Sequence, residues 1–223
     1  MGRLKRRVEV DATVRTRAIF GMAHLVFATV CVVALIARFV WGLGSATFNA
    51  SNYFAYLTIQ SNMAFAAVSA IAGYFGLRGS ADPPWLATLR AAVLSCTVAA
   101  GIVFAFLIQQ AGERGFRIDV PWSDQILHFW LPAIAIVDWV ISPGRGRAHW
   151  FAVPAAVGYP VVWGGITLAR GAIVGWYPYF FLDPQQVNSF GEFALLCGIA
   201  LVLFSVVSGG LVVSTRAKPL LER

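Results

Sequence analysis

Thr58 and His128 are the two side chains in this sequence whose types and positions best suit a reaction inside a membrane. Thr58 follows Tyr53 by five residues and His128 follows Trp122 by six, and Tyr53 and Trp122 each begin a long apolar run. Because a helix rises about 1.5 Å per residue, both side chains are expected about 7 to 9 Å inside the apolar layer. At a shared depth, an imidazole can take the proton of a hydroxyl and activate it as a nucleophile.

Further polar residues are expected at the same end of the bundle. Asp124 lies one helical turn before His128, where its carboxylate either fixes the imidazole tautomer or caps the helix start. Asn62, Gln109 or a backbone amide near Pro132 are candidate donors to an oxyanion, with a hydrogen bond between helices as the alternative for Asn62. The candidate substrate-binding residues are Arg38, Arg170, Trp176, Tyr177 and Glu192.

Each of these residues also has a purely structural interpretation. A threonine in a membrane helix commonly bonds back to the carbonyl four residues earlier, here that of Phe54. For His128 the structural alternative is a hydrogen bond between helices, and for Arg38 and Arg170 it is anchoring at the interface. His24 and His149 lie near the predicted cytoplasmic ends of their helices, away from Thr58 and His128. Their side chains are expected only to extend to the membrane–water interface.

The apolar runs that hold these residues predict an all-α integral membrane protein. Of 223 residues, 59% are hydrophobic and 12% charged, and the mean hydropathy is +0.73. Each apolar run is long enough to cross about 30 Å of hydrocarbon as a helix, which gives a bundle of six transmembrane helices. The predicted spans are 18–41, 53–77, 86–110, 122–141, 150–169 and 190–214.

The basic residues predict the orientation. Threading six spans alternately places 13 of them on one side: Arg3, Lys5, Arg6, Arg7, Arg15, Arg17, Arg78, Arg90, Arg145, Arg147, Arg216, Lys218 and Arg223. Arg114, Arg117 and Arg170 fall on the other side. The positive-inside rule then makes both termini cytoplasmic, with an N-terminal segment 1–17, a membrane domain 18–214 and a tail 215–223. Topology and contact with anionic lipids account for the net charge of +7, so no nucleic-acid partner is expected.

The segment between the last two spans, residues 171–189, is rich in aromatic residues and proline. It is too apolar to extend into water, so it is expected to fold back over the outer mouth of the bundle or to lie at the interface. The predicted site therefore opens toward the outer leaflet of the cell membrane.

Three motifs in this order resemble a known family. They are Tyr53-Phe54-Ala55-Tyr56-Leu57-Thr58-Ile59-Gln60-Ser61-Asn62, then His128-Phe129-Trp130-Leu131-Pro132, then Trp176-Tyr177-Pro178-Tyr179-Phe180-Phe181-Leu182. On six spans they resemble the androgen-induced protein family, which includes the androgen-dependent TFPI-regulating protein, and the first and third motifs look closer to a bacterial branch. The resemblance implies a membrane hydrolase of fatty acid esters of hydroxy fatty acids, with Thr58 as nucleophile and His128 as base.

Two other classes of function are weighed against the hydrolase. A metal-dependent hydrolase needs three or more ligands clustered at one point. The residues available are a single histidine, His128, with Asp124, Asp183 and Glu192 on separate segments. We therefore expect no metal and no cofactor. A lipid-binding or transport protein without catalysis is the stronger rival, because the same polar cavity at the outer leaflet can hold a headgroup or an ion.

Overall fold

The structure is a computed structural model that describes residues 2–113 and 119–222; Arg114, Arg117 and Arg223 of the charge analysis lie outside the described residues. In that part of the chain, all regular secondary structure is helical, and the helices are joined by short non-helical connections. The main helices are α1 (Gly2–Leu43), α2 (Ala50–Ala55), α3 (Leu57–Leu77), α4 (Pro84–Glu113), α5 (Trp122–Gln125), α6 (Leu131–Ile141), α7 (Ala152–Val174) and α8 (Phe190–Ser214). A π-helical turn (Ile126–Trp130) joins α5 to α6, and 3₁₀ turns occupy Phe180–Leu182 and Leu220–Glu222.

Among the described residues, five helical segments are long and apolar enough to cross a membrane. They are Ala12–Leu43, Pro84–Gln110, Trp122–Ile141, Ala152–Val174 and Phe190–Ser214. The predicted second span corresponds to α3, which has 21 residues but is not in this set. Its first turns are polar, since Gln60, Ser61 and Asn62 follow one another there.

Helix α1 packs along α3 in antiparallel orientation. Gly21 of α1 lies against Gly76 and Leu77 at one end, and the Tyr53 hydroxyl donates to the Leu35 carbonyl at the other, 2.7 Å away. A Cβ atom on Gly21 would lie 2.5 Å from the Leu77 nitrogen, so the backbones touch. Further along the bundle, α3 packs on α4, and α4 packs on α7 and α8.

The predicted second span is not one helix, because the chain turns out of helical conformation at Tyr56. Tyr56 has φ −66° and ψ 130°, which ends α2 and makes Leu57 the first residue of α3. The break leaves helix-end carbonyls without helical donors. Side chains satisfy two of them, since the Trp163 indole donates to Ala55 and the Gln60 amide donates to Phe54, each at 2.9 Å. Thr58 thus lies in the first turn of a helix.

The fourth span contains a π-helical turn around His128. The Leu131 N–H donates to the Ile126 carbonyl, five residues earlier. Pro132 has no N–H to donate to the His128 carbonyl, so that oxygen is free to face α4. Gly101 of α4 lies directly against it, and a Cβ atom there would be 2.1 Å from the carbonyl oxygen. Such π turns are frequent at functional sites.

At the end of the bundle opposite Thr58, a buried charge cluster ties α1, α4 and α6 together. His24 Nε2 lies 2.8 Å from the Asp138 carboxylate, and Arg90 contacts His24, Asp138 and Asp82. His24 and Asp138 are each 5% exposed. The prediction that His24 only reaches the interface is therefore wrong, since a charge inside a membrane protein is stabilised by a partner on a neighbouring helix. His149 is exposed, and its Nδ1 accepts from the Phe151 N–H.

Replacing Asp138 by leucine is expected to lower the free energy of unfolding by about 3 kcal/mol, the lower end of the range for breaking a buried ion pair. His24 and Arg90 would lose their shared acceptor, while Asp82 would still pair with Arg90. Chemical denaturation of the detergent-solubilised protein measures the loss. Asp138→Asn keeps an acceptor oxygen and should lose less. Equal unfolding of Asp138→Leu and the unaltered chain would show that the cluster adds no stability.

Candidate active site

A partly open cavity of about 520 Å³ lies at the end of the bundle where α3 begins. Its wall comes from the start of α3, the second half of α4, the start of the fourth span, the second half of α7 and the first half of α8. Most of the lining is apolar, for example Leu107, Leu168 and Phe204. The polar members are Arg38, Tyr53, Tyr56, Thr58, Asp119, Asp124, His128 and Tyr179. Such a cavity suits a ligand with long apolar chains and one polar centre.

Thr58 and His128 both face this cavity, and they are 5% and 8% exposed. The Thr58 hydroxyl does not bond back to the Phe54 carbonyl, because the break at Tyr56 separates the two residues, and Gln60 takes that carbonyl. Within the described residues, the hydroxyl instead bonds the Tyr179 hydroxyl at 3.3 Å and makes no direct hydrogen bond to His128. The structure therefore places the predicted pair at one cavity without joining them directly.

The imidazole of His128 is held on two sides. Its Nδ1 lies 2.9 Å from the Asp124 backbone carbonyl, and its ring stacks on Phe104 with centroids 3.7 Å apart. Because a carbonyl oxygen can only accept, Nδ1 must carry the proton, and the lone pair of the neutral ring then lies on Nε2. His128 is thus oriented as a base that accepts a proton at Nε2.

Asp124 plays neither of the two roles predicted for its carboxylate. That carboxylate pairs with Arg38 of α1, with the Nε atom 2.9 Å and 2.8 Å from its two oxygens, and helix α5 begins without a side-chain cap. The tautomer of His128 is set by the Asp124 backbone carbonyl. Arg38 also lies over Trp41, 4.5 Å from the ring centroid. This arginine therefore binds the Asp124 carboxylate at the cavity and contacts the exposed ring of Trp41.

None of the predicted oxyanion donors lines the cavity. The Asn62 amide nitrogen donates to the Thr58 carbonyl at 2.9 Å and to the Leu127 carbonyl at 3.5 Å, so Asn62 joins helices, as in its structural interpretation. Gln109 is exposed and bonds Glu113 on its own helix. Near Pro132 the group left without its helical partner is the His128 carbonyl, an acceptor, and not an amide donor.

Four of the five predicted substrate-binding residues support the surrounding loops instead. Arg170 donates to Ser51 and Asn52, which ties α7 to α2, and Trp176 packs edge-on against Tyr56. The Tyr177 ring occupies the space beside Gly171. Glu192 accepts from the Asn188 N–H while its own N–H donates to Ser189, so Glu192 stabilises the start of α8. Of the five, only Arg38 lines the cavity.

The aromatic segment after α7 folds back over the cavity, which corresponds to the first of the two placements predicted from its composition. Pro178, Tyr179, Phe181 and Leu182 contribute to the lining, and Leu182 is buried. Tyr179 and Phe104 are the functional candidates that the sequence analysis missed. Tyr179 lies within the third motif, but no pattern in the sequence indicates that its hydroxyl reaches Thr58, 121 residues away along the chain.

Among the described residues, no group of three or more histidine, cysteine or acidic side chains is placed to hold a metal ion. The Asp183 carboxylate accepts hydrogen bonds from Gln185 and Gln186 within its own turn, whereas the Asp124 carboxylate pairs with Arg38. Thr58, His128 and Tyr179 bring a hydroxyl, an imidazole and a phenol to the cavity wall. Comparisons with family models, with curated proteins and with solved structures give no match to this chain.

Proposed function

We propose that this protein is an intramembrane lipid ester hydrolase in which Thr58 is the nucleophile and His128 the general base. One observation carries the proposal: both side chains are buried at a single, mainly apolar cavity, and the hydrogen bond to Asp124 leaves His128 Nε2 as the basic nitrogen. A threonine hydroxyl needs such a base, since it is a weak nucleophile at neutral pH.

In this mechanism His128 Nε2 takes the Thr58 proton as the threonine oxygen bonds to the ester carbonyl carbon. The tetrahedral intermediate then breaks the bond to the leaving alcohol, which receives the proton from Nε2. Water, deprotonated by the same nitrogen, then attacks the acyl-enzyme carbonyl carbon. The bond to the Thr58 oxygen breaks, Nε2 returns the proton to that oxygen, and a fatty acid is freed. The pairing of Arg38 with Asp124 keeps two charges mutually neutralised at the cavity wall, so an uncharged ester centre fits beside them.

The substrate class follows from the lining and from the family resemblance. A mainly apolar wall suits long acyl chains, and the resemblance suggests fatty acid esters of hydroxy fatty acids or related acyl esters. We place the chain in the cell membrane with α3 as a sixth span, both termini cytoplasmic and the cavity toward the outer leaflet. The antiparallel packing of α3 along α1 and the side bias of the arginines and lysines support this topology.

A fluorophosphonate probe tests the chemistry on the purified protein. The probe phosphonylates an activated hydroxyl, so we expect labelling of the unaltered chain, partial labelling of Thr58→Ser, and none of Thr58→Ala or His128→Ala. Mass spectrometry of the labelled peptide should find the adduct on Thr58.

Two variants serve as matched controls, because they remove the same groups away from the cavity. Thr167→Ala alters a buried threonine of α7, and His149→Ala alters an exposed histidine; both should label normally. Labelling that persists in Thr58→Ala contradicts the proposed nucleophile. A chain that never labels but binds a radiolabelled fatty acid equally well in all variants would instead be the non-catalytic lipid-binding or transport protein.

A further inference from the structure

We infer that Tyr179 is a catalytic residue of this site, whose phenol O–H donates a hydrogen bond to the oxyanion that forms when Thr58 attacks an ester. The inference rests on the proposed function, and Tyr179 is singled out because its hydroxyl bonds the proposed nucleophile, whereas Asn62 and Gln109 point elsewhere. Acyl transfer depends strongly on such donors, because they stabilise the charge that develops on the carbonyl oxygen.

The geometry of Tyr179 suits this role. Its hydroxyl oxygen is 3.3 Å from the Thr58 hydroxyl oxygen, and both residues line the cavity. In a tetrahedral intermediate the oxyanion and the threonine oxygen share one carbon, so a donor beside one oxygen lies within reach of the other. Tyr179 approaches Thr58 from the folded-back segment after α7, whereas His128 approaches the cavity from the fourth span. The two groups can therefore act on different oxygens of the same ester.

The Tyr179 ring is held in place by aromatic neighbours. It stacks parallel to Phe181 with centroids 5.4 Å apart, meets Tyr56 edge-on at 5.9 Å and lies 5.8 Å from Trp163. Trp163 is itself fixed by its hydrogen bond to the Ala55 carbonyl at the break before α3. A donor whose position is set before the reaction stabilises the transition state without reorganisation.

The protonation state also suits a donor. Burial raises the pKa of the Tyr179 phenol to about 12, and hydrogen bonding with Thr58 opposes the rise only in part. The phenol therefore keeps its proton throughout the physiological pH range. When Thr58 gives its proton to His128 and bonds to the carbonyl carbon, the carbonyl electron pair moves to oxygen. Tyr179 then donates a hydrogen bond to that oxygen without transferring its proton.

Tyr179→Phe tests the inference, because it removes the hydroxyl and keeps the ring and its packing. With the purified full-length protein and p-nitrophenyl octanoate, we expect kcat to fall by about 100-fold with little change in KM. The inhibition constant of an alkyl trifluoromethyl ketone, which forms a tetrahedral oxyanion adduct with a nucleophile, should rise by a similar factor of about 100. Thermal unfolding should be unchanged, and Tyr177→Phe, whose hydroxyl is not at the cavity, should keep kcat.

Two results would overturn the role of Tyr179 while leaving the hydrolase intact. One is an unchanged or raised kcat in Tyr179→Phe while Thr58→Ala is inactive. A raised kcat would show that the Tyr179 hydroxyl blocks the nucleophile. The other is a lowered kcat with an unchanged inhibition constant for the ketone, which assigns the hydroxyl to positioning alone. An unaltered rate in Thr58→Ala would instead refute the proposed function itself.

Discussion

Thr58→Ala and His128→Ala should each lower kcat for ester hydrolysis by about 1000-fold or more, and the double variant should lose no more than either single variant. A nucleophile and its base act as one unit, so removal of either leaves nothing for the other to improve. Steady-state hydrolysis of p-nitrophenyl octanoate by purified variants measures these losses. The shared cavity and the free Nε2 of His128 are the structural grounds for this expectation.

The comparison of single and double variants shows whether Thr58 and His128 act as one catalytic unit. If the two losses multiply in the double variant, Thr58 and His128 contribute independently, and the assignment of a nucleophile–base pair is wrong. Thr167→Ala is the matched control, since Thr167 is a buried membrane threonine that does not line the cavity. A loss in that control would show that the bundle tolerates no change of this kind, and the activity data would then report on folding.

Gly101→Ala should damage both stability and activity, although Gly101 is not expected to touch a substrate. The added Cβ atom would lie 2.1 Å from the His128 carbonyl oxygen, so α4 or the π-helical turn must shift. Overpacking of this kind costs about 1 to 3 kcal/mol. A displacement of about 1 Å at a catalytic base can lower the rate about 100-fold. Denaturation and kcat measured on the same preparation test both effects.

Gly209→Ala is the matched control, because Gly209 also lies in a membrane-spanning helix and a Cβ atom there meets nothing within 4 Å. It should retain the unfolding midpoint and the rate. Unchanged activity in Gly101→Ala would mean that the position of His128 does not depend on the contact between α4 and the π-helical turn.

The helical spans could be read from the sequence because the bilayer fixes their length and composition. The fourth and sixth predicted spans, 122–141 and 190–214, agree with the helical segments of the structure. The second did not, since the break at Tyr56 has no proline or glycine to announce it. The break is stabilised by the Trp163 and Gln60 side chains, which donate to the carbonyls that lose their helical partners there. Trp163 belongs to α7, so this stabilisation depends on tertiary packing.

The residues at the cavity were predicted by depth, and depth was sufficient for Thr58, His128, Asp124 and Arg38. It was not sufficient for Gln109, because rotation about the helix axis decides whether a side chain faces the cavity or the outside. Loop residues such as Trp176 and Tyr179 have neither a defined depth nor a helical periodicity. Their placement depends on how the segment packs, which only the three-dimensional structure reveals.

The apolar wall of the cavity affects how such an enzyme must be assayed. Its lining belongs largely to the membrane-spanning parts of α4, α7 and α8, so under the proposed function a water-insoluble ester would enter from the lipid phase. For a hydrolase of that kind, the rate follows the mole fraction of ester among the surrounding lipids, and dilution with inert detergent slows turnover at constant bulk concentration. In saturation curves for such an enzyme, the substrate concentration should therefore be expressed per unit of membrane surface.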